Sequence, residues 1–315
     1  RVMSTTLITG GTGLLGSHLS KLAQDEGHST VAMIRRIHRN SFLASPEANC
    51  ETRDVGDQDL FKGIDSVIHT AGLASPYEKD HQKMVKSNLS LTQNLFKQAK
   101  SSGVKHWIQI SSIATLGPDS DGDLVHEESK GPIRSTFYAK TKLDTEKWLE
   151  KEEDDSIRVT VIHPCYMLGS WDSRPSSGSI FFALAMGKLR HFVNTEKNFV
   201  AAQDVARAVW ASLDRKKGGH FIIGGENIKM ASFFTKTCRL LNLERSEIKE
   251  IDWEGLKQLE NPEEKQMIRE YCSGFPVSCE KAKRELDYLP KLSISEALTE
   301  TMSYFSEKKI LRPAR

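Results

Sequence analysis

Two stretches of the sequence set a phenol and an ammonium four positions apart. "TFYAKTKLDTEKW" (Thr136–Trp148) carries Tyr138 and Lys142, and "YFSEK" carries Tyr304 and Lys308. Side chains at i and i+4 share one helical face, so either pair could serve proton transfer. A tyrosine has an unperturbed pKa of about 10, too high for easy exchange near neutral pH. A neighbouring ammonium favours the phenolate and lowers that value. The spacing alone is weak, because a chain with six Tyr and abundant Lys is expected to show one chance match. Context separates the two. "WIQISSIATLG", upstream of Tyr138, closes a predicted core strand on Ser111 and Ser112. Ligands of α/β sheets bind beyond the carboxyl ends of strands, so a hydroxyl there can face a bound molecule. Ser at a strand end is also ordinary turn chemistry. No such neighbour accompanies Tyr304.

The first strand and first helix are joined by "LITGGTGLLGSHL", with Gly10, Gly11, Gly13 and Gly16. Glycine is needed where backbone turns tightly, approaches a pyrophosphate or packs a helix against a strand. The following helix N-terminus offers free N–H groups and a positive dipole end to phosphates. A lone glycine pattern is weak, but after a strand and before a helix it has the required context. An NAD site usually carries an acid about 20 residues past the glycines. The sequence has no Asp or Glu from Ser29 through Pro46 and offers "IRRIHR" instead, with Arg35, Arg36 and Arg39. A guanidinium fits a 2′-phosphate bidentately, so NADP(H) is the preferred cofactor, with NAD(H) the other possibility.

Stepping outward, short β-branched runs alternate with helical segments. "TTLIT" (5–9), "TVAMI" (30–34), "CETR" (50–53), "SVIHT" (66–70), "HWIQIS" (106–111), "IRVTVIH" (157–163) and "HFIIGG" (220–225) are predicted strands. Helices are predicted from about Leu14 to Glu26, with Gly27 as C-cap, and from about Asp80 to Ser102. Apolar runs alternating with helices indicate an α/β fold, a Rossmann-type doubly wound parallel sheet. After Cys165 the rhythm changes, and "YMLGSWDSRPSSGS" (166–179) reads as a loop. The predicted division is a dinucleotide-binding core, 3–168 plus 198–226, and a smaller, mostly helical lobe for substrate, 169–197 plus 227–315. "SIFFALAM" (Ser179–Met186) reads as helix core rather than a pocket wall.

Composition excludes several classes. The 315 residues are 38% hydrophobic and 27% charged with a net charge of +2, which gives no concentrated basic face for nucleic acid. No apolar run approaches the ~20 residues that span a bilayer. "MSTTLITGG" reads as a natural start, with no basic-then-apolar leader. Five Cys without CxxC spacing suggest free thiols in a reducing, cytoplasmic setting. Ten dispersed His, with no HExxH, give no pattern for a metal site.

Together the glycine turn, "ISS" and "YAKTK" follow the order of the short-chain dehydrogenase/reductase superfamily, and the chain resembles its extended branch. "TGGTGLLG", "DSVIHTAG", "SNLSLTQNL", "SSIATLG", "YAKTKLDTEKW", "FVAAQDVARA" and "SCEKAKRELDYLP" carry that resemblance over nearly the whole length. "SSIATLG" and "FIIGGENI" are especially similar to dihydroflavonol-reductase-like proteins and those labelled hopanoid-associated sugar epimerases. The resemblance implies Tyr138 as general acid/base, Ser112 orienting the substrate oxygen, Lys142 as the cation beside Tyr138, and Asn88 as the helix Asn near the active site. For the cofactor it implies Gly10, Thr12, Gly13, Leu14, Leu15 and Gly16 at the pyrophosphate, and Arg35 with Arg36 at the 2′-phosphate. Asp54 and Val55 would lie near the adenine, Thr70, Ala71 and Gly72 along the ribose path, and Pro164 and Cys165 beside the nicotinamide. A homodimer is an expectation of the same resemblance.

The chemistry so implied is reduction of a small-molecule ketone or aldehyde, hydride coming from nicotinamide and the proton from Tyr138. Sugar-nucleotide epimerases or dehydratases share the machinery but often read RPGNVYGP and SSATVYG. The chain reads "HPCYMLGS", with Tyr166 for Asn, and "SSIATLG", with Leu116 for Tyr. Arg174, Lys188 or Arg190 could still hold a phosphate. A non-catalytic NADP-binding regulator is the third reading, disfavoured because both Tyr138 and Lys142 are retained.

Overall fold

The structure is a computed structural model and describes residues 4–75, 78–119, 122, 124–173 and 175–311. β1 (Thr5–Thr9) leads into α1 (Leu14–Glu26), β2 (Ser29–Ile34), β3 (Glu51–Asp54) and β4 (Ser66–His69). A segmented helix follows, α2 (His81–Met84) and α3 (Leu91–Ser101), before β5 (His106–Ile110), α4 (Phe137–Glu152) and β6 (Arg158–Pro164). Next come β7 (Tyr166–Leu168), α5 (Ser179–Ala185), β8 (His191–Val193), β9 (Glu196–Ala201), α6 (Ala202–Leu213) and β10 (Gly219–Ile223). The chain continues through β11 (Glu226–Lys229), α7 (Met230–Leu241), β12 (Lys249–Ile251), α8 (Trp253–Gln258), α9 (Pro262–Cys272), α10 (Glu280–Leu286) and α11 (Ile294–Glu307).

Seven parallel strands form the main sheet in the order β10-β6-β5-β4-β1-β2-β3. Pairs such as Val67–Ile68 and Val161–Ile162 are sealed on both faces, which is why these strands read as continuous apolar runs. Chain order reverses between β1 and β4, the switch point where doubly wound sheets open a crevice. α1 ends at Gly27, whose φ of +74° is the left-handed cap that the sequence suggests.

One predicted element is built differently. The helix expected over 80–102 is broken by a π-helical turn at Val85–Ser90 between α2 and α3. The backbone N–H of Leu91 still bonds back into that turn, at the Lys86 carbonyl, so the chain stays helical but shifts its register. Such bulges often mark functional sites, and this one carries Asn88.

Outside the main sheet, β11-β9-β7 and β12-β8 form two small sheets around an aromatic cluster. Phe181, Phe192, Phe199, Phe233, Phe234 and Phe305 are fully buried there. α5 contributes Ile180, Phe181, Ala183 and Leu184 to this core, while Met186 beyond it is exposed. Tyr304 is buried in α11, and its hydroxyl donates to the Asn40 carbonyl at 2.5 Å. That bond ties α11 to the loop after β2, a structural task far removed from acid/base work. Among the described residues, no helix is long and apolar enough to cross a membrane, and all five cysteines are free thiols.

Several imidazoles are enclosed as neutral groups. His69 bridges Thr9 and Thr92 at 2.8 and 2.9 Å, and His106 meets Thr160 at 2.9 Å. Burial lowers His69 and His106 to about 3, and His18 and His163 to about 4, from an ordinary 6.5. The unfolded chain takes up protons on these groups below about 6.5 while the folded chain does not, so stability falls as pH drops through that window. Linkage puts the loss at about 2 kcal/mol per histidine by pH 5. Urea midpoints are expected to fall steeply between pH 7 and pH 5. A stability that stays flat over that range would contradict the burial of neutral imidazoles.

Candidate active site

The glycine turn sits at the switch point. Gly10 has φ +70°, and a Cβ there would lie 2.6 Å from Thr70 Oγ1. A Cβ at Gly16 would lie 2.2 Å from the Gly10 carbonyl, so α1 can press against the turn only without a side chain. Thr70 donates to the Thr9 carbonyl at 2.6 Å, and the Ala71 N–H to Thr9 Oγ1 at 3.2 Å, fixing the end of β4 beside the turn. α1 is capped by Gly13 with no side-chain acceptor and has no acid in its first turn. Its amides, with Thr12, Leu14 and Leu15 around them, are therefore available to an anion such as a pyrophosphate. The residues present fit a dinucleotide.

α4 brings the predicted acid/base residues together. Thr136 caps it, accepting from the Ala139 N–H at 3.1 Å. Tyr138 and Lys142 lie on one face, with the Lys142 Nζ 6.0 Å from the centre of the Tyr138 ring. The Tyr138 phenol hydrogen-bonds Ser112, whose Oγ also accepts from the Ala114 N–H at 3.2 Å. Lys142 is buried and donates to the Ile110 carbonyl at 2.8 Å. Gly72 faces the same point, since a Cβ there would lie 3.3 Å from Lys142 Nζ and 3.2 Å from Asn88 Oδ1.

Asn88 is wholly occupied in holding this arrangement. It accepts from the Leu73 N–H at 2.7 Å and donates to the Leu73 carbonyl at 2.9 Å and to Thr141 Oγ1 at 3.1 Å. Its own carbonyl accepts from Thr92 and Thr145 hydroxyls at 2.7 and 3.1 Å. The π-turn thus binds the β4 loop, α3 and α4 to one another.

Electrostatics depart from the sequence expectation at one point. Tyr138 is pushed up to about 12 rather than down, because burial outweighs its bond from Ser112. The Lys142 ammonium is turned onto the Ile110 carbonyl, so it does not offset the lost hydration of a phenolate. Burial lowers Lys142 to about 8, and the nearby Glu146 carboxyl opposes that fall.

Glu146 extends the Tyr138–Lys142 row by another helical turn, a continuation legible in the same spacing but not picked out. It is buried, and burial raises its carboxyl. Ser111 gives its hydroxyl to Glu146 while Ser112 serves Tyr138, so the paired serines divide their work. His163 joins Thr115 at 3.1 Å and His220 at 3.0 Å behind them. Glu146, His163 and His220 gather their ligating atoms within 4.8 Å, a convergence that dispersed His positions conceal. His163 Nε2 and His220 Nδ1 face each other at hydrogen-bond distance, so the imidazoles satisfy one another.

The remaining predicted residues spread along the crevice. Arg35, Arg36 and Arg39 follow β2, exposed. Asp54 ends β3 and accepts from the Gly56 N–H at 2.9 Å, and the Val55 N–H donates to Ile34 at 3.0 Å. Pro164 is buried at the end of β6, and burial raises the thiol of the neighbouring Cys165. Lys188 and Arg190 line a separate cleft with Asn261, Glu263, Glu264 and Met267, which Ser112, Tyr138 and Lys142 do not border. Arg174 lies outside the described residues.

Residues 6–224, more than half of the chain, match the model of the NAD dependent epimerase/dehydratase family. The chain is 26% identical to sterol demethylase protein B of Methylococcus capsulatus over 98% of its length and all of that protein. It is 25% identical to a putative dihydroflavonol 4-reductase of Synechocystis sp., over 75% of this chain and 72% of that one. In fold it is similar to the UDP-glucuronic acid 4-epimerase from Bacillus cereus, solved with UDP-glucuronic acid and NAD (TM-score 0.76, 21% identity, 96% and 99% of the two chains). The chain belongs to the NAD dependent epimerase/dehydratase family, the extended short-chain dehydrogenases/reductases, and is an NAD(P)-dependent enzyme of that type.

The Asn88 network yields a direct test. Asn88→Ala removes four side-chain hydrogen bonds and strands the Leu73 amide and carbonyl, a loss of about 2–4 kcal/mol. Urea denaturation should register it, and a change below about 0.5 kcal/mol would show that the π-turn does not hold α4 in place.

Proposed function

We propose that this member of the family is an NADPH-dependent reductase of a small-molecule ketone or aldehyde. The observation that carries the reading is the half-buried Tyr138 phenol, hydrogen-bonded to Ser112 and held in its protonated form, its pKa pushed up to about 12. In that form the phenol carries the proton that reduction consumes, and the alkoxide that develops on the substrate, a far stronger base than a phenolate, draws it off. Reduction needs that donation at the start, whereas transient oxidation of a sugar alcohol needs a base first. When bound, the nicotinamide supplies the hydride. Ser112 orients the carbonyl oxygen and adds a hydrogen bond where negative charge develops. Tyr138 delivers its proton to that oxygen, and Lys142 keeps a positive charge beside the phenolate that remains.

Two further observations support net reduction over sugar-nucleotide chemistry. The Tyr166 hydroxyl, at the position that often carries Asn in sugar-nucleotide enzymes, donates to the Ser177 carbonyl at 2.5 Å. It is engaged within its own loop. Arg35 and Arg36 form no ion pair among the described residues and stand exposed after β2, suited to a 2′-phosphate. We read the Phe-rich part, 169–197 with 227–315, as the substrate lobe over the crevice.

Tyr138→Phe is expected to lower turnover by about 10²–10⁴-fold while NADPH affinity changes little, as followed by cofactor fluorescence. Near wild-type turnover in the purified variant would remove Tyr138 from the chemistry. The pH profile makes a second test. Lys142, lowered to about 8 by burial, loses its charge as pH rises, so kcat/KM should fall above that point. The Glu146 carboxylate holds Lys142 up against burial, so Glu146→Gln should move the falling limb to lower pH. A limb that does not move would uncouple Glu146 from the site.

A further inference from the structure

Beside Tyr138 lies a charged group that proton transfer does not use. Arg134 precedes the α4 N-cap Thr136 by two residues and Tyr138 by four. Its guanidinium stacks over the Phe275 ring at 5.9 Å. The Nε atom is closed off from solvent and has no hydrogen-bond partner among the described residues, and Arg134 makes no ion pair within 4.0 Å among them. Arg134 is half-buried; its guanidinium cannot shed its charge, and a shielded N–H without an acceptor is costly. Something in the working enzyme is expected to offset it.

The surroundings define what that is. Arg134 acts electrostatically on Tyr138, Cys165, Tyr166 and Glu270. Lys197 lies next to them, buried, its Nζ 4.3 Å from the centre of the Tyr166 ring and bonded to the Tyr271 carbonyl at 2.9 Å. Around Tyr166, two cationic side chains, Arg134 and Lys197, therefore face one carboxylate, Glu270. With Lys197 protonated, the sum is a single positive charge, which matches a monoanion and leaves a dianionic phosphate uncompensated.

We infer that Arg134 is a specificity-determining residue that binds a carboxylate carried on the substrate near its carbonyl, so that the substrate is an oxo acid. The inference rests on the reading of Tyr138 as proton donor to a carbonyl. A guanidinium offers the paired N–H groups that a carboxylate accepts. Held there, the acid would fix the carbonyl against Ser112 and Tyr138, and Lys197 would take up a proton as the anion enters.

The test uses the full chain loaded with NADP⁺, titrated calorimetrically with matched probes: 2-oxo and 4-oxo acids of four to ten carbons and their methyl esters. The wild type is expected to bind at least one acid tenfold or more tighter than its ester. Arg134→Met should abolish that preference with NADP⁺ binding and thermal midpoint intact, and Arg134→Lys should keep part of it. Glu270→Gln, which removes the competing carboxylate, should tighten acid binding. Esters that bind as well as acids, a preference that survives Arg134→Met, or no binding by any pair would each overturn the assignment. NADPH oxidation measured in parallel separates the two readings. Arg134-dependent acid binding without oxidation keeps the carboxylate site and rejects reduction, while oxidation of neutral carbonyls with no acid preference does the reverse.

Discussion

The bond from Lys142 Nζ to the Ile110 carbonyl is the joint on which the site depends. It fastens α4 to the carboxyl end of β5, where the two serines leave the sheet. An ammonium this deeply buried is expensive, and burial has already brought it down to about 8. The fold supports it with Glu146 on the same helical row, which Ser111 in turn holds. From the other side, Asn88 clamps the β4 loop to Thr141 of α4. Tyr138 is thereby fixed against Ser112 by contacts that are nearly all made elsewhere. In the proposed reduction the phenol contributes the reactive proton, and its neighbours contribute its place.

Loss of hydration sets the protonation states on which the proposed reduction rests. In water the phenol and ammonium would sit near 10 and 10.5, and each is moved toward its uncharged form by loss of hydration. A protonated phenol is matched to carbonyl reduction, and the same low-dielectric setting strengthens any interaction with an incoming carboxylate. Arg134 resists the trend, because its charge cannot be surrendered. That contrast is why we assign it to substrate rather than to proton chemistry.

Much of this was legible in the residues, and the reasons differ by level. The parallel sheet was legible because strands buried on both faces are apolar throughout, as in Val67–Ile68. Gly10 and Gly16 were legible because their neighbours leave no room for a Cβ. Tyr138 emerged over Tyr304 through Ser112, and the structure separates them physically: one meets Ser112 while the other fastens α11 to Asn40. What escaped depends on distance in the chain. Nothing local announces that Val85–Ser90 becomes π-helical, since that follows from fitting Asn88 between two other elements. His163 and His220, 57 residues apart, meet only once β6 and β10 pair. Nothing in the sequence singles out Arg134 or Lys197 until the fold brings them beside Phe275 and Tyr166. The upward shift of Tyr138 was missed for the same reason, as hydration is a property of the packed chain.

The proposed reduction moves hydride in one direction, from a bound nicotinamide to a carbonyl carbon, with the proton from Tyr138. Single turnover with NADPH deuterated at the transferring C4 position, followed by mass spectrometry of cofactor and product, tests it most directly. One deuterium at the former carbonyl carbon of the product and stoichiometric NADP⁺ are expected. Deuterium that stays on the cofactor while an isomerised product is released would contradict it.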